Sequence, residues 1–558
     1  MTETGRRTGG QILADQLRLH GVSRIFGVPG ESFLAVLDAL HDHRDAMPFT
    51  VCRQEGGAAM MADAYGKLTG EPGICMVTRG PGATNASAGV HIAYQNSTPL
   101  ILFVGQIARG MAEREAFQEI DYRRMFGQMT KWVAEIENAS RIPEHVSHAF
   151  HLATSGRPGP VVLALPEDML REEVSVSDPA RYQRVEAHPG PEQMERLRAM
   201  LDAAERPIAI LGGGGWNAEA VAHMQRFAER AGLAVAASFR RQDYFDNAHP
   251  CYVGDIGIGP NPALVRRLRE ADLLLLLGGR LGEMPSQSYG LLDIPRPRQK
   301  LVHVHAGAEE LGRVYQADLP INAGARAFAA ALDRLQPVDG GRWQRWREQA
   351  RAEYEAWQSP PAIPGSLQMG EVMTWLEAHL PEDAIMTNGA GNYTVWLHRF
   401  HRHRRFGTLL APVSGSMGYG APAAVAAKIM HPDRTVICFA GDGCFLMHGQ
   451  EFATAVQYRA PAVFLVINNG MYGTIRMHQE RHYPGRVSAT DLANPDFAAY
   501  ARAFGGYGEV VDSTEQFPGA FERAARSGLP AILELRIDPE ALTPAQTLSQ
   551  IRERALAG

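Results

Sequence analysis

Two apolar runs between Thr435 and Gly470 each end on polar side chains. The run TVICFA leads into a Gly-Asp-Gly turn around Asp442, and the run PAVFLVI leads into Asn468 and Asn469. Polar groups at the ends of core segments need a partner, because burying them unpaired is costly. A carboxylate and an amide oxygen are hard donors, and two such donors with positions left open suit Mg²⁺ shared with substrate phosphates.

The segments around these residues predict a βαβ unit. TVICF (435–439) and PAVFLVI have strand character, and GQEFATAVQYR between them has the spacing of a helix. Two strands joined in this way run parallel, so Asp442 and the Asn468-Asn469 pair are expected at the sheet edge where open α/β sheets bind ligands. Glycines at 441 and 443 leave backbone N–H groups accessible to phosphate oxygens. Asp-Gly and Asn-Gly are also ordinary turn signals, and a Gly-Asp-Gly match alone is weak evidence.

The composition is that of a globular protein with several domains. The chain has 558 residues, 45% of them hydrophobic and 21% charged, and this length predicts about three domains. The apolar runs are shorter than the roughly 18 residues that a membrane span requires, and a net charge of −6 provides no basic field for nucleic acid or membrane. Five scattered cysteines indicate no disulfide framework, and no apolar segment follows the N-terminal arginines as in a secretory signal, so we expect a cytoplasmic protein.

Alternating helical and strand-like segments predict an α/β protein with three doubly wound parallel-sheet domains. The N-terminal domain is predicted over residues 1–180, where QILADQLRLHG, RIFGV, AAMMADAYGKLTG and GICMV alternate. A central domain that begins with RPIAILGGGGWNAEAV is predicted over 190–335, and a C-terminal domain over 366–545. Polar or proline-rich stretches, around 174–193 and through QSPPAIPGS, are predicted to be linkers.

The spacing of the two polar turns is typical of one enzyme class. Asp442 and Asn469 are 27 positions apart, and 24 residues separate Gly443 from Asn468. In this the chain resembles the thiamine-diphosphate-dependent enzymes, whose signature is Gly-Asp-Gly followed at this spacing by Asn-Asn or a single Asn. The resemblance implies a pyrimidine-binding domain, a central Rossmann-like domain and a diphosphate-binding domain. It also implies thiamine diphosphate and Mg²⁺ as cofactors.

The resemblance further implies how the C-terminal domain holds the cofactor. Mg²⁺ would be bound by Asp442, Asn469 and the backbone carbonyl of Met471. In SGSMGYGAPAAVAA, Met417 would be the apolar wedge that bends the cofactor, and the Gly415 carbonyl would accept from its amino group. A glycine-rich turn before a small-residue helix also suits tight helix packing. The other implied contacts are Gly391, Asn392, Tyr393, Gly441, Gly443, Gly473 and Thr474.

Glu55 is the predicted partner of the cofactor's aminopyrimidine. This ring acts as a base in its imino form, which requires a carboxyl group beside the distal ring nitrogen. The family carries that glutamate in RxE before a small-residue helix, which matches RQE and AYG here, between GVPG and TRGPGATN. Taken alone, a glutamate that begins a helix is common, because it interacts favourably with the helix dipole. In the family the counterparts of Glu55 and Asp442 meet across a subunit interface, so the resemblance implies a homodimer or a dimer of dimers.

Nearly the whole chain, about 9–535, resembles the acetolactate-synthase branch of these enzymes. AFQE at 116–119, TKW at 130–132 and SGRPGP at 155–160 all recur there. The decarboxylase branch typically carries adjacent histidines in its N-terminal domain, whereas RGMAEREAFQ has none. The resemblance therefore implies a carboligase that decarboxylates pyruvate or a related 2-oxo acid and adds the resulting carbanion/enamine to a second 2-oxo acid.

Gln118 would be a polar contact near the reacting centre, although a glutamine in a surface loop is an equally good interpretation. Two other functions stay open. One is a decarboxylase or C–C lyase that releases its product without ligation. The other is a non-catalytic paralogue, against which the presence of Glu55, Asp442 and Asn469 argues.

Three departures from the acetohydroxyacid synthases leave the substrate open. His478 replaces a tryptophan, so the acceptor pocket is expected to differ. Arg79 replaces the usual serine before Gly-Pro-Gly, where it could meet an anionic substrate group or form a surface ion pair. GGRLGEMPSQ and VHVHAGAEELG lack the patterns associated with FAD. A glycine run at 212–215 could approach a pyrophosphate, but such a run is weak evidence, and FAD binding is disfavoured.

Overall fold

The computed structural model describes residues 5–336 and 338–557. The first four residues of the predicted domain 1–180 lie outside the described residues. The chain divides into one compact unit up to Val185 and a second from Glu186 onward. The first unit contains one six-stranded parallel sheet and the second contains two, which confirms the predicted fold class.

The sheet of the first unit has the strand order β3-β2-β4-β5-β7-β6, and a short antiparallel pair joins β1 to β8. Its strands are β1 (Arg7–Thr8), β2 (Ile25–Gly27), β3 (Phe49–Val51), β4 (Gly73–Val77), β5 (Leu100–Gln106), β6 (Trp132–Glu135), β7 (Pro160–Pro166) and β8 (Glu173–Val174). Its helices are α1 (Gly9–Leu19), α2 (Leu34–His41), α3 (Glu55–Thr69), α4 (Pro81–Asn96), α5 (Tyr122–Phe126) and α6 (Ile142–Thr154). Strands β4 and β5 are buried along their whole length because helices cover both faces of a parallel sheet.

The first sheet of the second unit has the strand order β11-β10-β9-β12-β13-β14, so its order reverses between β9 and β12. Its strands are β9 (Pro207–Leu211), β10 (Ala234–Ser238), β11 (Tyr252–Ile256), β12 (Leu273–Leu277), β13 (Lys300–His305) and β14 (Leu319–Asn322). Its helices are α7 (Pro191–Ala203), α8 (Ala218–Ala231), α9 (Pro262–Glu270), α10 (Ala325–Asp333) and α11 (Gln344–Trp357). This order is that of a dinucleotide-binding Rossmann sheet.

The second sheet of this unit has the order β16-β15-β17-β18-β20-β19. Its strands are β15 (Ile385–Asn388), β16 (Leu409–Leu410), β17 (Val436–Gly441), β18 (Val463–Asn468), β19 (Tyr507–Val511) and β20 (Ala531–Arg536). Its helices are α12 (Met369–His379), α13 (Thr394–Phe400), α14 (Gly420–Met430), α15 (Asp442–Leu446), α16 (Glu451–Gln457), α17 (Gly473–His482), α18 (Phe497–Ala503), α19 (Phe517–Arg526) and α20 (Leu548–Leu556). Strands β17 and β18 pair in parallel, with Gly441 opposite Ile467.

One loop after β10 joins the two sheets of the second unit through buried polar groups. The Asp243 carboxylate accepts the backbone N–H groups of Gly407 at 3.0 Å and Leu409 at 3.3 Å. Asn247 and His403 exchange two hydrogen bonds, one from each backbone N–H. Asp243, Asn247 and His403 are all buried, so these bonds lie away from solvent.

Three elements differ from the predicted organisation. The charged stretch before QSPPAIPGS, predicted to be a linker, contains α11, whose Ala350 and Tyr354 are buried. Helix α20 lies beyond residue 545 and packs against α17. The Gly-Asp-Gly segment, predicted as a turn, begins the short helix α15 at Asp442. Among the described residues, no helix has both the length and the apolar character of a membrane span.

Candidate active site

A cavity of about 240 Å³ lies at the carboxyl edge of the C-terminal sheet. The segments that follow β15, β17, β18 and β20 contribute its walls. Every residue of the C-terminal domain that is predicted to contact the cofactor lines this one cavity: Gly391, Asn392, Tyr393, Gly415, Met417, Gly441, Asp442, Gly443, Asn469, Met471, Gly473 and Thr474. Apolar side chains complete it, namely Trp396, Ile467, Ile475, Ile537 and Leu542.

Asp442 is the buried charged group of this cavity, with 3% of its surface exposed. Its Oδ1 accepts the N–H of Gly443 at 2.9 Å, and its Oδ2 accepts the N–H of Gly470 at 2.9 Å. Burial raises the pKa of Asp442, and these N–H donors oppose that rise. A carboxylate held in this way has one face committed to the backbone and suits a cation on the other.

Asn469 and Met471 follow on the adjacent strand end. Oδ1 of Asn469 accepts the N–H of Met471 at 3.3 Å, and the carbonyl of Met471 accepts the N–H of Gly473 at 2.9 Å. Each of these oxygens keeps a second lone pair for another partner. With Asp442 they form a set of three oxygen donors along one cavity wall, which is the chemistry that Mg²⁺ prefers.

Two residues that the sequence did not indicate hold this donor set in place. Asn494 donates to Oδ2 of Asp442 at 2.7 Å and to Oδ1 of Asn468 at 2.9 Å. Glu534, which is buried on β20, accepts from Nδ2 of Asn468 at 2.9 Å. Asn494 occurs in LANPDF, where Asn-Pro is an ordinary turn signal, so the sequence offered no sign of this role.

The predicted cofactor contact Tyr393 has a buried hydroxyl that is already committed. This oxygen accepts the N–H of Gly389 at 3.1 Å and lies 3.2 Å from the sulfur of Cys444. Asn392 accepts from the hydroxyl of Thr474 at 2.9 Å, which joins the segment after β15 to the start of α17. The first turn of α17 lines the cavity, so the positive end of this helix faces it.

Met417 follows a turn that a buried arginine holds in place. Arg240, which is 1% exposed, donates to the carbonyl of Pro412, and the same carbonyl accepts the N–H of Gly415 at 3.0 Å. Burial lowers the pKa of Arg240 to about 10. Arg240 is therefore a further residue, from the loop after β10, that supports the Gly415–Met417 segment.

Glu55 lies in the first compact unit, at the first position of α3. Its side chain is half-buried, and Oε2 accepts from the amide of Asn85 on α4 at 2.9 Å. The small residues of α3 allow it to pack closely against α4. Asn85 thereby leaves Oε1 of Glu55 as the oxygen available for another partner.

The predicted substrate residues occupy different environments. Arg79 is buried and pairs with Glu167 at 3.0 Å and with Glu31 at 3.3 Å, although the Glu31 side chain is largely exposed, so of its two predicted roles the structure contains an ion pair at the surface of the unit. Gln118, in the same unit, is half-buried with a left-handed backbone at φ +67°. His478 is an exposed residue of α17 whose ring stacks on His482 with centroids 6.3 Å apart. The cavity is lined by the first three residues of α17, Gly473, Thr474 and Ile475, and not by His478.

The glycine run after β9, considered as a pyrophosphate cradle, packs against another loop instead. A Cβ on Gly213 would lie 1.8 Å from the carbonyl oxygen of Gly278, which follows β12. The carbonyl of Gly213 accepts from Arg241 at 2.8 Å and from Tyr244 at 3.0 Å. The close approach of these two loops explains why glycine stands at position 213.

Three family models match the chain in the order of its sheets. The thiamine pyrophosphate enzyme N-terminal TPP binding domain matches residues 7–125, the central domain 194–332 and the C-terminal TPP binding domain 389–535. The three-sheet fold and the cavity of the C-terminal sheet thus define a thiamine-diphosphate-dependent enzyme.

Named relatives show which branch of the thiamine-diphosphate-dependent enzymes this chain is similar to. The acetolactate synthase isozyme 2 large subunit of Escherichia coli is 30% identical over 532 residues, which is 95% of each chain. The acetolactate synthase of Arthrospira platensis is 32% identical over 95% of this chain and 94% of its own. The acetolactate synthase large subunit of Parasynechococcus marenigrum is 32% identical over 95% of this chain and 87% of its own. This chain belongs to the acetolactate-synthase-like family of thiamine-diphosphate enzymes.

Proposed function

We propose that this protein is a Mg²⁺-dependent carboligase that decarboxylates a 2-oxo acid, pyruvate first among them, and joins the remaining acyl unit to a second 2-oxo acid. One observation carries the proposal: the twelve residues of the C-terminal domain predicted to contact the cofactor line a single cavity around Asp442. The relatives named acetolactate synthase, each matched over about the same 95% of this chain, support the reaction type.

Asp442, Asn469 and the Met471 carbonyl would hold the Mg²⁺. The cost of burying the Asp442 carboxylate supports this assignment, since a bound cation offsets it. The N-terminal turn of α17, at Gly473 and Thr474, would accept the diphosphate, because its N–H groups and helix dipole favour an anion. Met417 would support the cofactor rings from the opposite wall, and the Gly415 carbonyl would orient them.

Bound thiamine diphosphate would supply a nucleophilic thiazolium carbon and an acceptor for the electrons released on decarboxylation. Glu55 would hold the proton shared with the aminopyrimidine at Oε1, while Asn85 holds Oε2. Gln118 would present its amide to the reacting carbonyl group, and the apolar cavity wall would exclude water. The family resemblance supports a homodimer or a dimer of dimers with active sites at the subunit interface.

Product analysis tests the proposal. The purified chain is supplied with thiamine diphosphate, Mg²⁺ and pyruvate, and CO₂, acetolactate and acetaldehyde are measured together. The expected result is acetolactate formed in step with CO₂, and no turnover when the cofactor is omitted or when Asp442→Ala is used. If acetaldehyde formed without acetolactate, the protein would be a simple decarboxylase and not a carboligase. If neither pyruvate nor any other 2-oxo acid in a panel were turned over, the remaining interpretation would be a non-catalytic paralogue.

A further inference from the structure

The Arg79 guanidinium uses each of its three nitrogens within the first compact unit. Nη1 pairs with Glu167 at 3.0 Å, Nη2 pairs with Glu31 at 3.3 Å, and Nε donates to the backbone carbonyl of Phe117 at 3.2 Å. The residue is 8% exposed. One guanidinium and two carboxylates together carry a net negative charge, which does not attract an anionic substrate.

The Phe117 carbonyl is the peptide group that precedes Gln118. Gln118 has φ +67°, a left-handed conformation that is unfavourable for a residue with a side chain and persists only where neighbouring contacts hold it. One such contact is Gly80, where an added Cβ would lie 2.7 Å from Cβ of Gln118. Arg79 and Gly80 thus hold both sides of the same turn.

The same segment also carries the contact to Glu55. Helix α4 begins directly after Gly80, and its Asn85 donates to Glu55. The backbone N–H of Gly80 donates to the hydroxyl of Tyr122 at 2.9 Å, which anchors the segment to α5. A displacement of Arg79–Gly80 would therefore move both Glu55 and Gln118, the two residues predicted to act on the reacting groups.

We propose that Arg79 is a positioning residue, which sets the orientation of the Gln118 side chain by holding the Phe117 carbonyl, and that it binds no substrate carboxylate. This inference rests on the proposed function, because it gives Gln118 a place near the reacting carbonyl. It accounts for a large cationic side chain at a position that faces two glutamates.

Arg79→Gln, Gln118→Ala and the double variant test the inference in steady state. Arg79→Gln should lower kcat by about 10- to 100-fold, as misplacement of a contacting group does, with KM for pyruvate changed less than about 3-fold. In the Gln118→Ala background the same substitution should have almost no further effect, because its route of action is gone. The share of acetaldehyde among the products should rise in both single variants, a change that loss of folded protein alone would not produce.

Glu167→Gln separates positioning from substrate binding. If Arg79 bound the substrate carboxylate, removing its neutralising partner would lower KM, and Arg79→Gln would raise KM at least about 10-fold with kcat kept. Either result would overturn the inference. So would additive effects of Arg79→Gln and Gln118→Ala, or a Gln118→Ala variant as active as the unsubstituted protein.

Arg7→Gln is the matched control. Arg7 also lies between two carboxylates, Asp15 and Asp178, and donates to the carbonyl of Val176. Its removal should reduce thermal stability without a change in kcat or product ratio. Cofactor-dependent acetolactate formation by the unsubstituted protein tests the proposed function separately, so the inference about Arg79 can fail while that function stands.

Discussion

Asn494 donates one hydrogen bond to Oδ2 of Asp442 at 2.7 Å and another to Oδ1 of Asn468 at 2.9 Å. A single amide thus bridges Asp442, at the end of β17, and Asn468, the last residue of β18 and the neighbour of Asn469. Because Asn494 lies in the segment between α17 and α18, it holds these two strand ends from outside the sheet. Mutation of a residue that orients a metal ligand typically lowers metal affinity about 10- to 100-fold.

Asn494→Ala should therefore weaken Mg²⁺ binding by about 10- to 100-fold, because Asp442 would lose the donor that fixes its carboxylate plane. Calorimetric titration of Mg²⁺ in the presence of thiamine diphosphate measures the change. Asn322→Ala is the control, since Asn322 donates only to backbone carbonyls of His305 and Ala306 in the central domain. Equal Mg²⁺ affinity in both variants would contradict the role of Asn494.

Glu55→Gln should lower turnover of a 2-oxo acid by about 10²- to 10⁴-fold, because an amide cannot share the aminopyrimidine proton. The thermal shift produced by thiamine diphosphate and Mg²⁺ should persist, since the cofactor cavity belongs to the C-terminal sheet. Asn85→Ala, which leaves the carboxyl group but frees its orientation, should give an intermediate rate. An unchanged rate in Glu55→Gln would remove this residue from the proposed mechanism.

Glu480 should make a pH-dependent contribution to stability. It is buried on α17 and accepts from Arg552 and Arg476, and Arg552 first of all lowers its pKa to about 2. A carboxyl whose pKa is depressed on folding stabilises the fold above its ordinary pKa and loses that contribution as pH falls towards 2. Glu480→Gln should cost about 3 kcal/mol at pH 7, because it leaves two arginines without a carboxylate.

Urea unfolding at a series of pH values measures this difference, which should shrink between about pH 4.5 and pH 2. Glu522→Gln is the control: its ion pair with Arg526 also spans one helical turn but is exposed. Such a pair contributes at most about 1 kcal/mol. A difference for Glu480→Gln that grows as the pH is lowered would contradict the assignment.

Ile475 should influence substrate choice more than His478 does. Ile475 lines the cavity although 55% of its surface is exposed, whereas His478, which is also exposed and lies three residues further along α17, does not line it. Ile475→Ala should change the ratio of kcat/KM between pyruvate and a longer 2-oxo acid by about 10-fold, the effect of one or two methylene groups in an apolar pocket. His478→Ala should change that ratio less than about 3-fold. The opposite ranking would move the acceptor pocket to the His478 face.

The sequence predicted the C-terminal sheet edge well because its signals are local. The apolar runs before Asp442 and Asn468 form the adjacent parallel strands β17 and β18. Periodicity and turn residues are sufficient for such elements. The gathering of the predicted cofactor residues into one cavity followed from the spacing of two motifs and from the family resemblance.

The sequence could not indicate residues that act through tertiary contacts. Asn494 and Glu534 lie far along the chain from the strand ends they hold, and Arg240 reaches Pro412 over 172 positions. Helix α11 has no clear apolar stripe in the sequence, because only Ala350 and Tyr354 of its 14 residues are buried. Its charged composition therefore predicts a linker. The ion pairs of Arg79 depend on where Glu31 and Glu167 come together in the fold.

The loop after β10 has a consequence for the modularity of this chain. Its Asp243 accepts the N–H groups of Gly407 and Leu409, and its Asn247 accepts the N–H group of His403. Backbone groups of the C-terminal domain are therefore hydrogen-bonded to side chains of the central domain. A fragment that begins near residue 366 would lose these protein partners, whereas one that begins at Glu186 would keep them. The gap between the two family models is therefore not expected to separate two parts that fold independently.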